Sequence, residues 1–287
     1  MKVIDLFCGG GGFSEGFRQA GFEIILAVDN WDVALKTHKL NHPETDHWLK
    51  DVLDIKELPE ADVLIGSPPC QSFSIANRNT RVKDKSLMEQ FMDLVISSKV
   101  RWWCWENVSS AVPKMFLPYM PTTVDCADYG APSHRERKFC CNWPFPSPTH
   151  KGRHIAIGEA LKGLTDIGKG LPPNPDPNFM ERPNIKKWLE SHPRLKATDV
   201  MRTITTKVAR DKRNLHFSED RPYTVNEVKR LMGFPDEYKL CGSLSDQYAL
   251  LGNAVPPPMS KAIAEALKIR ISLETEPSTE IYVVSPP

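Results

Sequence analysis

The chain has 287 residues, 40% hydrophobic and 25% charged, the composition of a soluble globular protein with one large domain or a catalytic domain plus a small module. Its formal net charge of +1 excludes a global polycationic surface, so a nucleic-acid partner would have to meet local positive charge. No apolar run approaches the roughly 18 residues of a membrane span, and the seven cysteines, without a Cys-x-x-Cys, fit reduced thiols in the cytoplasm better than a zinc site or a disulfide framework.

Strand and helix signals alternate in the first half, which predicts βαβ units and a doubly wound, mostly parallel α/β sheet. Residues 3–7 form a strand too short and too acidic to be a secretory signal. A Gly-rich turn leads into a short helix over 13–20, then come a strand over 23–28 and a helix over 32–40. Asp51 falls at the end of a third short strand. Next come a strand over 62–66, a helix over 87–97 with Leu87, Phe91, Leu94 and Val95 at helical spacing, an aromatic-rich strand over 101–106 and another over 137–142. Proline, glycine and charge then dominate 144–218, with helices only at 156–161 and 185–189. Regular structure returns: Thr224 caps a helix running to Gly233, Ser245 caps one over 246–251, and 259–269 is the last helix. The chain thus divides into a catalytic unit over 1–143, a small separate module over 144–220, a return to the catalytic unit over 221–271 and a peripheral tail over 272–287.

Four segments carry chemistry. In Asp5-Leu6-Phe7-Cys8-Gly9-Gly10-Gly11-Gly12-Phe13, a strand enters a four-glycine turn that lets a ligand approach the backbone. The dinucleotide pattern G-x-G-x-x-G fails at Ser14 and Glu15, which disfavours a nicotinamide dehydrogenase and suits a nucleoside without a pyrophosphate. Asp29, ending the second strand, is placed to accept ribose hydroxyls, and Asp51 to meet an adenine amino group; either acid taken alone reads first as a solvated surface group, and it is the ordered set with the Gly-rich turn that points to a ligand. Ser67-Pro68-Pro69-Cys70-Gln71-Ser72 holds a cysteine in a proline-stiffened turn at a strand's carboxyl end. Such a cysteine is either a small buried hydrophobe or a nucleophile. In Trp105-Glu106-Asn107-Val108 a carboxyl group ends a buried strand, where desolvation favours its protonated form, or it simply caps or pairs. Arg135 and Arg137 share one side of an extended chain, which suits phosphate or carbonyl oxygens or an ordinary ion-pair network.

In this order the segments resemble the cytosine-C5 DNA methyltransferase family. Six motifs carry the likeness: the Gly-rich turn, Pro-Cys-Gln at Cys70, Glu-Asn-Val at Glu106, Arg-x-Arg at Arg135, Gly233-Phe234-Pro235 and Gly252-Asn253-Ala254-Val255-Pro256. The resemblance implies an S-adenosylmethionine-dependent enzyme acting on a cytosine flipped out of duplex DNA. Cys70 would attack C6, Glu106 would engage N3, Asn107 would hold local backbone, and Arg137, with Arg135, would hold O2. Phe7, Gly9, Gly10, Gly12, Asp29, Asn30, Asp51, Val52, Pro69, Leu87, Asn253 and Ala254 would line the cofactor pocket. It further implies a target-recognition region at 144–220, no metal, a monomer, and a cytoplasmic, nucleoid-associated protein if the source is prokaryotic.

Two departures stand out. Ser133-His134 replaces the Gln-x that precedes Arg-x-Arg in the family, and the stretch from 108 to 125 is short, as if a helix were trimmed. Two basic stretches, Arg78, Arg81, Lys83 and Lys85 after Ser72, and Lys207, Arg210, Lys212 and Arg213 after Arg202 and Thr205, are ordinary solvated loops or, beside a flipped base, DNA contacts. The 72–86 stretch would be a loop that closes over DNA. Within the fold the rival is a tRNA cytosine-C5 methyltransferase, whose branch carries a Cys-Phe-Thr that this chain lacks. A silent DNA-binding homologue would have lost Cys70 or Glu106, and both are present.

Overall fold

Seven strands form one sheet in a computed structural model that describes residues 1–69, 85–110, 119–165, 193–208 and 214–275. The elements are β1 (Lys2–Leu6), α1 (Gly12–Gln19), β2 (Glu23–Asp29), α2 (Asp32–Asn41), β3 (Asp46–Leu49), β4 (Val63–Gly66), α3 (Lys85–Ser98), β5 (Trp102–Val108), β6 (Thr122–Asp125), β7 (Glu136–Cys141), α4 (Ile157–Ala160), α5 (Val225–Leu231), α6 (Leu244–Asn253) and α7 (Pro257–Thr275). The strand order is β3-β2-β1-β4-β5-β7-β6. The first five strands pair in parallel, and β7 runs antiparallel between β5 and β6. The expected doubly wound, mostly parallel sheet is the one observed.

The central strands are apolar on both faces because helices cover both. All four residues of β4 are buried. Val63 and Ile65 pack with Phe13, Phe17, Met259 and Ile263 of α1 and α7, whereas Leu64 packs with Met88, Phe91 and Leu94 of α3. Burying a side chain such as Phe17 or Phe91, each 0% exposed, stabilises the fold by about 2–3 kcal/mol.

This order puts the topological switch between β1 and β4: the chain leaves β1 toward β2 on one side and β4 toward β5 on the other. The crevice outside their carboxyl ends is where doubly wound sheets bind ligands. The Gly turn after β1 and Ser67-Pro68-Pro69 after β4 both open onto it.

The described parts of 144–220 do not have a core to themselves. Ile157, Met201, Ile204 and Val208 share one apolar cluster with Val228, Leu231, Phe234, Leu251 and Ala254. Thr224 caps α5 as expected, in a reciprocal box with Glu227.

Several sequence expectations are corrected. Ser243, not Ser245, caps α6: its hydroxyl accepts from the Asp246 amide while the Asp246 carboxylate accepts from the Ser243 amide, the reciprocal arrangement that a Ser-x-x-Asp spacing allows. The last helix runs on to Thr275 rather than ending before a tail at 272, because Glu274 pairs with both Arg270 and Arg101. Strand β6 was not foreseen, since its four residues are only partly buried and carry no apolar run. Cys104 and Cys141 are joined as a disulfide, against the expectation of reduced thiols throughout. The β5–β7 register sets these residues directly opposite each other with Cα atoms 4.2 Å apart, a proximity that 37 residues of sequence separation conceals. The helix expected at 185–189 and the trimmed region around 111–118 lie outside the described residues. No helix among the described residues is long and apolar enough to cross a membrane.

Candidate active site

A cavity of about 720 Å³ occupies the crevice. The twelve positions expected to hold a cofactor, Phe7, Gly9, Gly10, Gly12, Asp29, Asn30, Asp51, Val52, Pro69, Leu87, Asn253 and Ala254, are on its wall, and so are Glu106, Asn107, Arg135 and Arg137. Cys70, Ser72, Arg78, Arg81, Lys83, Arg210, Lys212 and Arg213 lie outside the described residues, as does the side chain of Lys85. Pro69, the residue before Cys70, is on the wall.

The nucleoside end is built from strand termini. The Gly9 amide donates to Asp29 Oδ2 at 2.8 Å, and the Trp31 amide to Asp29 Oδ1 at 2.9 Å, so this carboxylate shapes the glycine turn from the neighbouring strand. Burial raises the pKa of Asp29, and these amides oppose the shift. Gly9 sits at φ +52° with no atom within 4 Å of a would-be Cβ, leaving open wall there. Gly12 serves packing instead: a Cβ on it would lie 2.2 Å from the Val255 carbonyl oxygen. Behind the turn, the Tyr238 hydroxyl donates to the Gly10 carbonyl at 2.7 Å. Asp51 Oδ1 accepts from the Leu53 amide at 3.0 Å, which fixes the carboxylate at the start of a single 3₁₀ turn over Val52–Asp54.

The other end carries charge. Glu106 is buried on β5, and Arg137 Nε on β7 lies 3.2 Å from its Oε1. The antiparallel register makes the pair, since Arg137 stands opposite Val108, two residues along from Glu106. Asn107 Nδ2 donates to the Pro68 carbonyl at 3.0 Å and its Oδ1 accepts from the Val108 amide at 2.8 Å, tying the proline turn to β5. The two arginines differ. Arg135 is 1% exposed and donates to the backbone carbonyls of Ile204, at 2.9 Å, and Gly252, at 3.0 Å. Along the following segment Ile204 and Val208 are buried, Thr205 and Lys207 are exposed, and Arg202 is half-buried.

Sequence reasoning missed Trp31, Lys50 and Leu250 on the wall, and it quoted Ser67, Val108 and Gly252 within motifs without giving them a role. Trp31, Lys50 and Ser67 follow or flank strand ends already singled out and were within reach of that signal. Leu250 arrives by tertiary packing and had none. The buried Ser67 hydroxyl has no hydrogen-bond partner among the described residues. No group of three or more His, Cys, Asp or Glu that could hold a metal ion occurs among the described residues.

Behind the glycine turn runs a buried polar chain. Ser14 Oγ donates to Asp5 Oδ2 at 2.7 Å, Ser14 Oγ and His38 Nε2 are 3.0 Å apart, and His38 Nδ1 and His47 Nε2 are 2.9 Å apart. Burial pushes Asp5 up to about 7, with nearby Asp29 adding to the shift and Ser14 opposing it. A carboxyl group raised in the folded state is ionised more readily when unfolded, so folding stability falls as pH rises from about 4 to about 7. At about 1.4 kcal/mol per pH unit this group withdraws on the order of 4 kcal/mol by pH 7. Asp5→Asn is therefore expected to flatten the decline of urea-unfolding stability between pH 5 and pH 8. An unchanged slope would show that Asp5 is ionised throughout.

With this geometry in place, likeness to known proteins identifies the group. The family model for C-5 cytosine-specific DNA methylase matches residues 1–116 and 152–269. Type II methyltransferase M.NgoPII of Neisseria gonorrhoeae is 30% identical, over 93% of this chain and 95% of that protein. Type II methyltransferase M.AplI of Arthrospira platensis is also 30% identical, over 100% of this chain and 90% of that protein. Among solved structures, a mutant of Spodoptera frugiperda DNMT2 superposes with a TM-score of 0.67 at 22% identity, covering 94% of this chain and 99% of that one. Entamoeba histolytica methyltransferase EhMeth gives 0.69 at 19% identity, with 94% and 98% covered. At those identities the two structures speak for the fold, while the family match and the sequence relatives carry the assignment: the chain belongs to the C-5 cytosine-specific DNA methylases.

Proposed function

We propose that this DNA cytosine-5 methyltransferase holds S-adenosylmethionine along the Gly9–Gly12 turn and uses Cys70 as its nucleophile. The observation that carries the reading is the single cavity in which the glycine turn and the acids Asp29 and Asp51 face the Glu106–Arg137 pair across Pro69. Its volume suits a nucleoside-sized ligand with a base beside it. Asp29 retains free lone pairs for ribose hydroxyls, Asp51 is placed for the adenine amino group, and Phe7, Trp31 and Leu87 supply apolar wall. When bound, S-adenosylmethionine supplies an electrophilic methyl group.

Cytosine C5 is a poor nucleophile, and the residues on the other side of the cavity correct that. The Cys70 thiolate forms a bond to C6 of the flipped base, and the ring electrons become available at C5. Glu106 places a proton at N3, which takes up the charge developing on the ring. Arg137 donates to O2 while its contact with Glu106 keeps both side chains in place. Asn107 keeps the proline turn against β5, so residue 70 follows from a fixed point. C5 takes the methyl group, the C5 proton is lost, and the C6–sulfur bond breaks to return the thiolate. Ser72, Arg78, Arg81, Lys83 and Lys85 on one side, with Arg202, Thr205, Lys207, Arg210, Lys212 and Arg213 on the other, would contact the DNA.

Purified protein given methyl-labelled S-adenosylmethionine is expected to label unmethylated duplex DNA at cytosine C5, read by nucleoside digestion and chromatography. Label in tRNA alone would overturn the duplex-DNA substrate, and labelled DNA that carries only N-methylated bases would overturn the chemistry.

A further inference from the structure

Arg135 shares the Arg-x-Arg motif with Arg137, but both of its terminal nitrogens are committed to backbone carbonyls. One terminal nitrogen donates to the Ile204 carbonyl, 69 residues away, and the other to the Gly252 carbonyl, 117 residues away. Ile204 belongs to the segment proposed to contact DNA, and Gly252 lies in the last turn of α6, whose next residues, Asn253 and Ala254, line the cavity on the side proposed for the cofactor. We propose that Arg135 is a positioning residue that locks the recognition segment to the cofactor wall, so that seating of DNA and binding of the nucleoside are coupled through this junction. The proposal rests on the reading of the cavity given above.

Further observations support the junction. Gly252 and the recognition segment meet backbone to backbone: a Cβ on Gly252 would lie 2.3 Å from the Thr206 amide nitrogen and 2.4 Å from the Thr205 carbonyl carbon. Only glycine allows that approach. On its far side the 252–255 stretch abuts the glycine turn, because the Val255 carbonyl oxygen would be 2.2 Å from a Cβ on Gly12. The segment at 252–255 is therefore held between the recognition segment and the cofactor turn, with little room to move independently of either. A second strut runs from the same loop as Arg135: the His134 amide donates to the Met201 carbonyl at 2.7 Å, and Ser133 bridges Met201. The Arg135 amide is itself anchored on Asp125 Oδ1 at 2.8 Å. A planar fork bonding two carbonyls at once is a task for arginine, since the single ammonium of lysine does not reproduce its fixed geometry.

Coupling of this kind is reciprocal, so it is measured as the factor by which DNA tightens the nucleoside. The probe is S-adenosylhomocysteine, which binds without turnover, titrated by calorimetry with and without saturating unmethylated, sheared plasmid DNA. In the wild type DNA is expected to tighten S-adenosylhomocysteine by about fivefold or more, within the usual range of coupling between sites. Arg135→Met is expected to reduce that factor to below about twofold while leaving affinity for S-adenosylhomocysteine alone within about threefold. Arg135→Lys, the milder change for use where the methionine variant does not fold, is expected to lose at least half of the factor. Amide hydrogen exchange of the ligand-free variants at 202–206 and 252–254 is expected to rise at both segments together. A folded variant that keeps the wild-type factor, a wild type without coupling, or exchange that rises at one segment only would overturn the assignment. A wild type that binds no S-adenosylhomocysteine at all would instead overturn the reading of the cavity.

Discussion

Cys70→Ser is expected to lower the single-turnover rate of methyl transfer by about 10⁴-fold or more, with S-adenosylmethionine affinity held within a few-fold of wild type. The reason is the ionisation of the attacking atom. A free thiol has a few per cent of thiolate near neutral pH and is strongly nucleophilic, whereas a serine hydroxyl holds its proton and must be activated by an adjacent base. The substitution exchanges a single atom. The parts proposed to hold the nucleoside, Asp29, Asp51 and the Gly9–Gly12 turn, are fixed by bonds among β1, β2, the 3₁₀ turn and Tyr238. None of those bonds depends on residue 70. Rapid-mix transfer from labelled S-adenosylmethionine to unmethylated plasmid DNA measures the rate, and calorimetry the affinity. Transfer retained within tenfold would remove Cys70 from the mechanism. Loss of cofactor affinity in parallel with rate would show that the residue holds the cavity together instead.

The contrast between Arg135 and Arg137 marks where sequence reading stops. Spacing correctly puts two arginines near one site, because an extended chain returns to the same side every second residue. It does not say which carbonyls each will meet. The partners of Arg135 come from 69 and 117 residues away, and nothing local to the motif encodes them. The same holds for Cys104 and Cys141, which are brought opposite each other by strand register alone. By contrast, the place of the glycine turn, Asp29 and Asp51 on the cavity wall was legible because a doubly wound sheet puts every parallel strand's carboxyl end at one crevice, so locating the strand ends locates the cavity. The cap at Ser243 was missed by two residues although its signature, Ser followed three positions later by Asp246, stands in the sequence. Ser245 competed as a capping residue one position before the acid, and the reciprocal bond decides between them. The stretch 144–220 was read as a separate module because proline and glycine break its regular structure. Among the described residues its apolar side chains Ile157, Met201, Ile204 and Val208 pack with those of α5 and α6.

Glu106→Gln is the second substitution expected to have a large effect, slowing single-turnover transfer by about 10²- to 10³-fold, the range of a lost proton donor at a reacting group. The two side chains have the same shape, and a glutamine oxygen still accepts from Arg137 Nε at the position where Glu106 Oε1 lies 3.2 Å away. Asn107 continues to tie the Pro68 carbonyl to β5 in either case. What glutamine lacks is a proton to give to N3, so charge accumulates on the ring once sulfur is bound to C6, and the barrier rises. The loss should therefore appear in the rate and not in the affinity for S-adenosylmethionine, which the proposed reading seats on the opposite wall. A further consequence separates proton donation from simple holding of the base. If Glu106 only holds the base, glutamine, which accepts and donates hydrogen bonds, should support transfer within about threefold of wild type. If it supplies the proton, Glu106→Gln and Glu106→Ala should fall by similar factors, because both lack it. Measured side by side on the same DNA, a glutamine variant close to wild type would overturn the proton-donor role, and a shared deep loss would support it.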